Sequence, residues 1–180
     1  MKDIMNLTKK VALGVAVGFF SNFAFAQTLQ EGVANADSHK YAKAKTVFNE
    51  MIAKSPTAEN YFYLGNSYLT QFEPNFELAQ ENFNKGLAAD KKSYLNKIGL
   101  ASVKLGKGDK SAIAEIQNIV KDSRDKDPEV LYRAAEALTI FWGAANADLA
   151  IDLLNRAVEK SQKGGTPAYY YYTLGDAYRL

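Results

Sequence analysis

Beyond Gln27, apolar residues recur at intervals of three and four against a background rich in Ala, Leu, Glu, Lys and Gln. That spacing places one stripe of each segment on a common helical face, so it predicts helix almost throughout. No stretch alternates apolar and polar residues as a half-buried strand would. The breaks are sparse and fall between helical runs, at Ser55-Pro56, Glu73 to Asn75, Gly106 to Asp109, Asp127-Pro128 and Gly164 to Pro167. They are turns between helices rather than linkers between domains.

The first 26 residues follow a different pattern: Lys2, Lys9 and Lys10 precede the apolar run VALGVAVGFF, and AFA stands before Gln27. This three-part layout is that of a secretory signal, with cleavage expected after Ala26. The run from Val11 to Ala26 is interrupted by Ser21 and Asn22. It falls short of the roughly 20 residues a membrane span needs, so no stable span is expected once the leader is removed. A bacterial lipid anchor would require a cysteine, and the chain has none.

The helical part is self-similar. Tyr61, Leu64, Gly65 and Tyr68 match Tyr171, Leu174, Gly175 and Tyr178, each pair 110 positions apart, which is close to three units of about 34 residues. The order aromatic, x, x, Leu, Gly, x, x, Tyr resembles the first helix of the tetratricopeptide repeat, with Tyr where that family most often has Trp. The family's second-helix pattern of Ala, three residues, Phe and a closing Pro recurs as Ala44, Phe48 and Pro56. It recurs again as Ala79 and Phe83, and as Ala150, Leu154 and Ala157. Middle units are more degenerate, with Ile98-Gly99, Ala112 and Ile116 in one and Leu131, Ala134, Ala135 and Leu138 in the next.

The resemblance covers essentially all of the chain after the leader. It implies an all-α solenoid of helix hairpins wound into a right-handed superhelix, with units over about 27–57, 58–91, 92–127, 128–166 and a half unit over 167–180. Gly65, Gly99 and Gly175 are expected where paired helices approach closely, because a glycine inside a helix costs roughly 1 kcal/mol relative to alanine and close packing must offset it. The last stretch, Tyr169 to Leu180, reads as a first helix without the second helix that should cover it. An array normally ends in a polar cap, and this helix keeps Tyr171, Leu174 and Tyr178. The expectation is therefore a C-terminally incomplete array that continues in a longer protein, with a natural final capping helix as the alternative.

A tetratricopeptide-type array implies binding of a protein or peptide on the concave face, which the first helices line. By the family's pattern the groove candidates are Phe62, Asn66 and Thr70 in the second unit, then Asn96, Lys97 and Lys104 in the third. Tyr132, Arg133 and Glu136 follow in the fourth, and Tyr172 and Asp176 in the last helix. Some members clamp a peptide's terminal carboxylate with a Lys, Asn, Asn, Lys, Arg set. Only Asn66, Lys97 and Arg133 fit that set here, while Phe62 and Glu129 stand where lysine is wanted. Glu129 would repel a carboxylate, so that clamp is not expected.

Reactive chemistry has little to start from. His39 is the sole histidine and cysteine is absent, so neither a nucleophile–base–orienter set nor a thiolate metal site can be assembled. Gly106 to Asp109 lacks the Gly-Lys-Ser/Thr spacing of a phosphate loop. No catalytic residue, cofactor or metal is expected. The leader holds three lysines and one aspartate, so the 22 basic and 20 acidic residues of the whole chain become 19 and 19 after cleavage. A neutral domain gives no reason to expect nucleic acid as partner. The combined expectation is an exported, non-enzymatic scaffold of the bacterial periplasm or envelope. An outer-membrane assembly factor, or the docking arm of a longer protein, are the alternatives.

Overall fold

The computed structural model describes residues 29–180, so the expected leader and its cleavage after Ala26 lie outside the described residues. The described chain is helical, with no strand among its residues. Helix α1 is described over 29–37. It is followed by α2 (Tyr41–Lys54), α3 (Ala58–Leu69), α4 (Phe76–Ala89) and α5 (Tyr94–Gly106). Then come α6 (Ala112–Asp122), α7 (Pro128–Trp142), α8 (Ala147–Ser161) and α9 (Ala168–Tyr178).

The chain sets these boundaries with local caps. Thr57 accepts a hydrogen bond from the Asn60 N–H at 3.2 Å and Asn75 accepts from the Leu78 N–H at 2.9 Å. Asp127 accepts from the Glu129 N–H at 2.9 Å, with Pro128 in the first turn where its missing N–H costs nothing. Each such cap contributes about 1 kcal/mol. Ends are marked as sharply: His39 turns the chain out of α1 at φ 57°, and Gly143 ends α7 at φ 53°. The segment Pro128–Gly164 has the length and apolar content of a membrane span if taken as one helix. Gly143 breaks it into α7 and α8, which fold back on one another. The 15 residues of α7 reach only about 22 Å at 1.5 Å per residue, short of a roughly 30 Å hydrocarbon core.

Successive helices pair as hairpins, and the hairpins stack. Helix α3 packs on α4 and on α5, α5 on α6 and α7, and α7 on α8 and α9. Helices α3, α5, α7 and α9 therefore run side by side as one layer, with α4, α6 and α8 each packed against two of them, an all-α stack in which each unit is covered by its neighbour. Phe83 of α4 is fully buried and lies against glycines of two successive first helices, Gly65 and Gly99. Phe48 of α2 stands against Gly32 of α1 in the same way. Ile116 and Leu154, also fully buried, fill that place in the later hairpins, where α7 carries Ala134 and Ala135. The core is two clusters, one around Phe48, Phe62 and Phe83 and the other around Ile116, Leu138 and Leu154, with Leu95 and Phe141 packed against both.

Candidate binding groove

The inner side of the stack holds a cavity of about 740 Å³ between the end of α1, α3 with the loop after it, α7 and α9. Its size is that of a site for a small ligand or a few residues of a peptide.

Arg133 forms the floor. Its side chain is only 5% exposed, and the i−4 and i+3 positions of α7 supply carboxylates on the same helical face. Nε donates to Glu129 Oε1 at 2.8 Å and Nη1 to Glu136 Oε2 at 3.0 Å. Aromatic rings close around the guanidinium, with the Tyr132 centroid at 4.7 Å and those of Tyr63 and Tyr169 at 5.6 Å. Burial alone would favour loss of its proton, but Glu136 and Glu129 outweigh this and hold the Arg133 pKa well above its ordinary value.

Glu129 is the hub of this network. Besides Arg133 it accepts phenol hydrogens from Tyr63 at 3.3 Å, Tyr169 at 3.1 Å and Tyr170 at 2.9 Å. These bonds tie α3 and α9 to α7, and Tyr132 stacks on Tyr170 with centroids 4.5 Å apart and planes 8° from parallel. The Tyr132 hydroxyl donates to Glu136 at 3.1 Å. Burial first, and the neighbouring carboxylates second, raise the phenol pKa values of Tyr63, Tyr132, Tyr169 and Tyr170, which keeps all four neutral and able to donate.

Above the floor stand Asp37 from the end of α1 and Asp176 from α9. Asp37 is itself exposed, yet the walls of the concavity displace much of its water, and its pKa is pushed up to about 6. Loss of hydration is the main cause; Arg133 opposes it, and Glu136 and Glu129 add to it. The rim is apolar: Phe72 is 97% exposed, Tyr172 76% and Ile140 49%, and all three line the cavity.

Seven of the sequence-derived candidates meet in this groove: Asn66, Thr70, Tyr132, Arg133, Glu136, Tyr172 and Asp176. The other four do not. Phe62 is buried, its ring packed on Tyr63 and Phe83. Asn96 is fully buried at the start of α5, where its amide donates to the Ala58 carbonyl and the Ser93 hydroxyl at 2.8 and 2.9 Å. It stands in the space opposite Gly86 and serves helix packing rather than a ligand. Lys97 lies over the Tyr94 ring of its own helix at 5.1 Å, and exposed Lys104 pairs with Glu115 of α6 at 2.7 Å. The cause is the position of α5 between α3 and α7: its inward residues Ile98, Gly99 and Ser102 close up beneath Arg133 and Glu136.

Asn66, Lys97 and Arg133, the three residues that fit a carboxylate clamp in sequence, accordingly do not assemble into one. Arg133 already pairs with two carboxylates through Nε and Nη1, and Lys97 lies over Tyr94. His39 stands at the rim with Nδ1 3.0 Å from the Tyr41 hydroxyl, and that hydroxyl donates to the Thr70 carbonyl at 2.8 Å. Among the described residues no group of three or more metal-ligating side chains converges.

Asp37 was missed by the sequence pattern, although a signal for it exists. It follows Gly32 by the same five residues that separate Thr70 from Gly65 and Lys104 from Gly99. The helix around Gly32 lacks the aromatic and Leu-Gly residues that announce the other first helices.

No protein-family model matches the sequence, and no curated protein does. Among solved structures, one with a similar course is YrrB, described as a TPR protein with an unusual peptide-binding site. It is 18% identical, the match covers 84% of this chain and 75% of that one, and the TM-score is 0.44. Another is MamA (AMB-1), 14% identical over 88% of this chain and 82% of that one, with a TM-score of 0.43.

Proposed function

We propose that this protein is a binding scaffold whose concave groove takes a segment of another protein, with no chemistry of its own. The observation that carries this reading is the rim of the groove. Phe72, Tyr172 and Ile140 hold large apolar surfaces in water around a cavity whose floor is rigidly networked, and exposed apolar surface grouped at a concavity marks a docking site. A pre-ordered floor also lowers the entropy cost of binding. The test is photo-crosslinking from a benzoyl-phenylalanine placed at Phe72, compared with one at Lys85 on the exposed face of α4. Adducts from position 72 alone are expected; equal labelling from both positions would remove the concave face from the account.

The same proposal places the scaffold in the bacterial envelope. It rests on the leader layout of Lys2, Lys9 and Lys10, the apolar run and AFA before Gln27. Mass spectrometry of the protein recovered from a host that exports it should find Gln27 at the N-terminus. Recovery with Met1 and the leader intact would overturn this placement.

A further inference from the structure

We infer that the segment this groove accepts is a basic one, whose lysine or arginine side chains meet Asp37 and Asp176 while neighbouring apolar residues rest on Phe72, Ile140 and Tyr172. This inference rests on the concave-face reading above and specifies its partner.

The charge around the cavity supplies the argument. Among the described residues Arg133 is the only lysine or arginine lining it, and its charge is already matched by Glu129 and Glu136, two carboxylates against one guanidinium. The floor is therefore net negative before the walls are considered. Asp37 adds a carboxylate for which no ion pair occurs among the described residues, and Asp176 adds another, paired only with exposed Arg179 of its own turn. Helices α1 and α9 thus each bring an acid to the cavity, above a floor that already carries more carboxylates than cations.

A second, separate feature selects a polypeptide rather than a free cation. The acids are framed by the exposed apolar side chains of three different elements, the loop after α3, the end of α7 and α9. A cation alone would leave that rim in water. A segment with alternating basic and apolar residues would satisfy both. An acidic segment would leave two like charges facing it in a concavity where fields are focused.

The experiment is a fluorescence-anisotropy titration of the protein with a labelled peptide alternating lysine and leucine, beside counterparts with glutamine or glutamate for lysine. The lysine peptide should bind about tenfold tighter than the glutamine peptide, with the glutamate peptide weakest and the preference shrinking in high salt. Asp37→Asn and Asp176→Asn, both exposed and outside the Arg133 network, should each weaken the lysine peptide several-fold. Equal affinity for the three peptides, with all three weakened by Phe72→Ser or Tyr172→Ser, would sink the cation preference and leave the concave-face reading standing. Binding unaffected by all four substitutions would remove both. Two other outcomes overturn the inference: spermine competing as well as the lysine peptide, or self-association of the unliganded protein that Phe72→Ser abolishes, which would make a second copy the occupant.

Discussion

The Phe83 ring occupies the space that a Cβ on Gly99 would need, its Cε1 lying 2.5 Å from that position. The same ring atom is 2.7 Å from the position a Cβ on Gly65 would take. One aromatic side chain thus fastens two successive hairpins, and the glycines on either side are what let it in. Gly175, the matching residue of α9, has nothing within 4 Å of its Cβ position.

Equal substitutions at these glycines should consequently give opposite results. Gly65→Ala and Gly99→Ala force Phe83 to shift and are expected to destabilise by about 1–3 kcal/mol. Gly175→Ala meets open space and gains helix propensity, so it should stabilise by up to about 1 kcal/mol. Phe83→Ala leaves a cavity at a fully buried site and should cost about 3–5 kcal/mol. Urea unfolding midpoints measure all four. A Gly99→Ala variant as stable as the parent would show that the stack yields where close packing was expected.

The stacked architecture was legible in the sequence because its determinants recur. Ala44, Phe48, Ala79 and Phe83, expected in the core from repetition, are fully buried. The groove was only partly legible, since a repeat pattern reports what neighbouring units share, whereas a binding surface depends on what they do not. Phe62 follows the repeat register yet turns inward to Phe83. Asp37 and Phe72 lie respectively on a helix without the Leu-Gly motif and in the loop after α3. The Arg133 network was invisible for another reason: Tyr63, Tyr169 and Tyr170 reach Glu129 across as many as 66 positions of chain, and only the folded stack brings them together. Tyr171 and Tyr178 carry the motif but stand half or more exposed, because no helix covers that face of α9 among the described residues.

Removing Arg133 alone should be far more damaging than removing its whole ionic network. Arg133→Met leaves Glu129 and Glu136, each under a fifth exposed, without a counter-charge, and about 3–5 kcal/mol of stability should be lost. Adding Glu129→Gln and Glu136→Gln to that variant removes the uncompensated charges and should restore most of the loss. A triple variant no more stable than Arg133→Met would mean that the arginine's contacts with Tyr132 and Tyr63 matter more than its charge.

Asp37 should make the protein more stable in mild acid. Its carboxyl titrates at about 6 in the folded state, against roughly 3.9 in an unfolded chain. Between about 4 and 6 the native state holds a proton that the unfolded state has lost, so stability falls as pH rises through that window. The groups facing Asp37 are Arg133, Glu136, Glu129 and Tyr132 from α7, Tyr41 from α2 and Tyr169 from α9, with His39 two residues away at the rim. Asp37→Asn should flatten this part of the stability–pH curve and raise stability near neutrality. Parallel curves for parent and variant would show that the concavity does not dehydrate the carboxyl.

The four phenols around the Arg133 network should resist alkaline titration for as long as the stack is intact. Tyr63, Tyr132, Tyr169 and Tyr170 are raised above the ordinary tyrosine range by burial first and by Glu129 or Glu136 second. In that range the unfolded chain loses phenol protons that the native state keeps, so stability falls as pH rises through it. Ultraviolet absorbance should show only part of the 11 tyrosines ionising at first, with the rest following in a cooperative step that coincides with loss of helical circular dichroism. Glu129→Gln removes a negative charge next to three of the phenols and should move their ionisation to lower pH, if the fold is retained. A single non-cooperative titration of all the tyrosines, with helicity unchanged, would contradict a sealed floor and the rigid groove built on it.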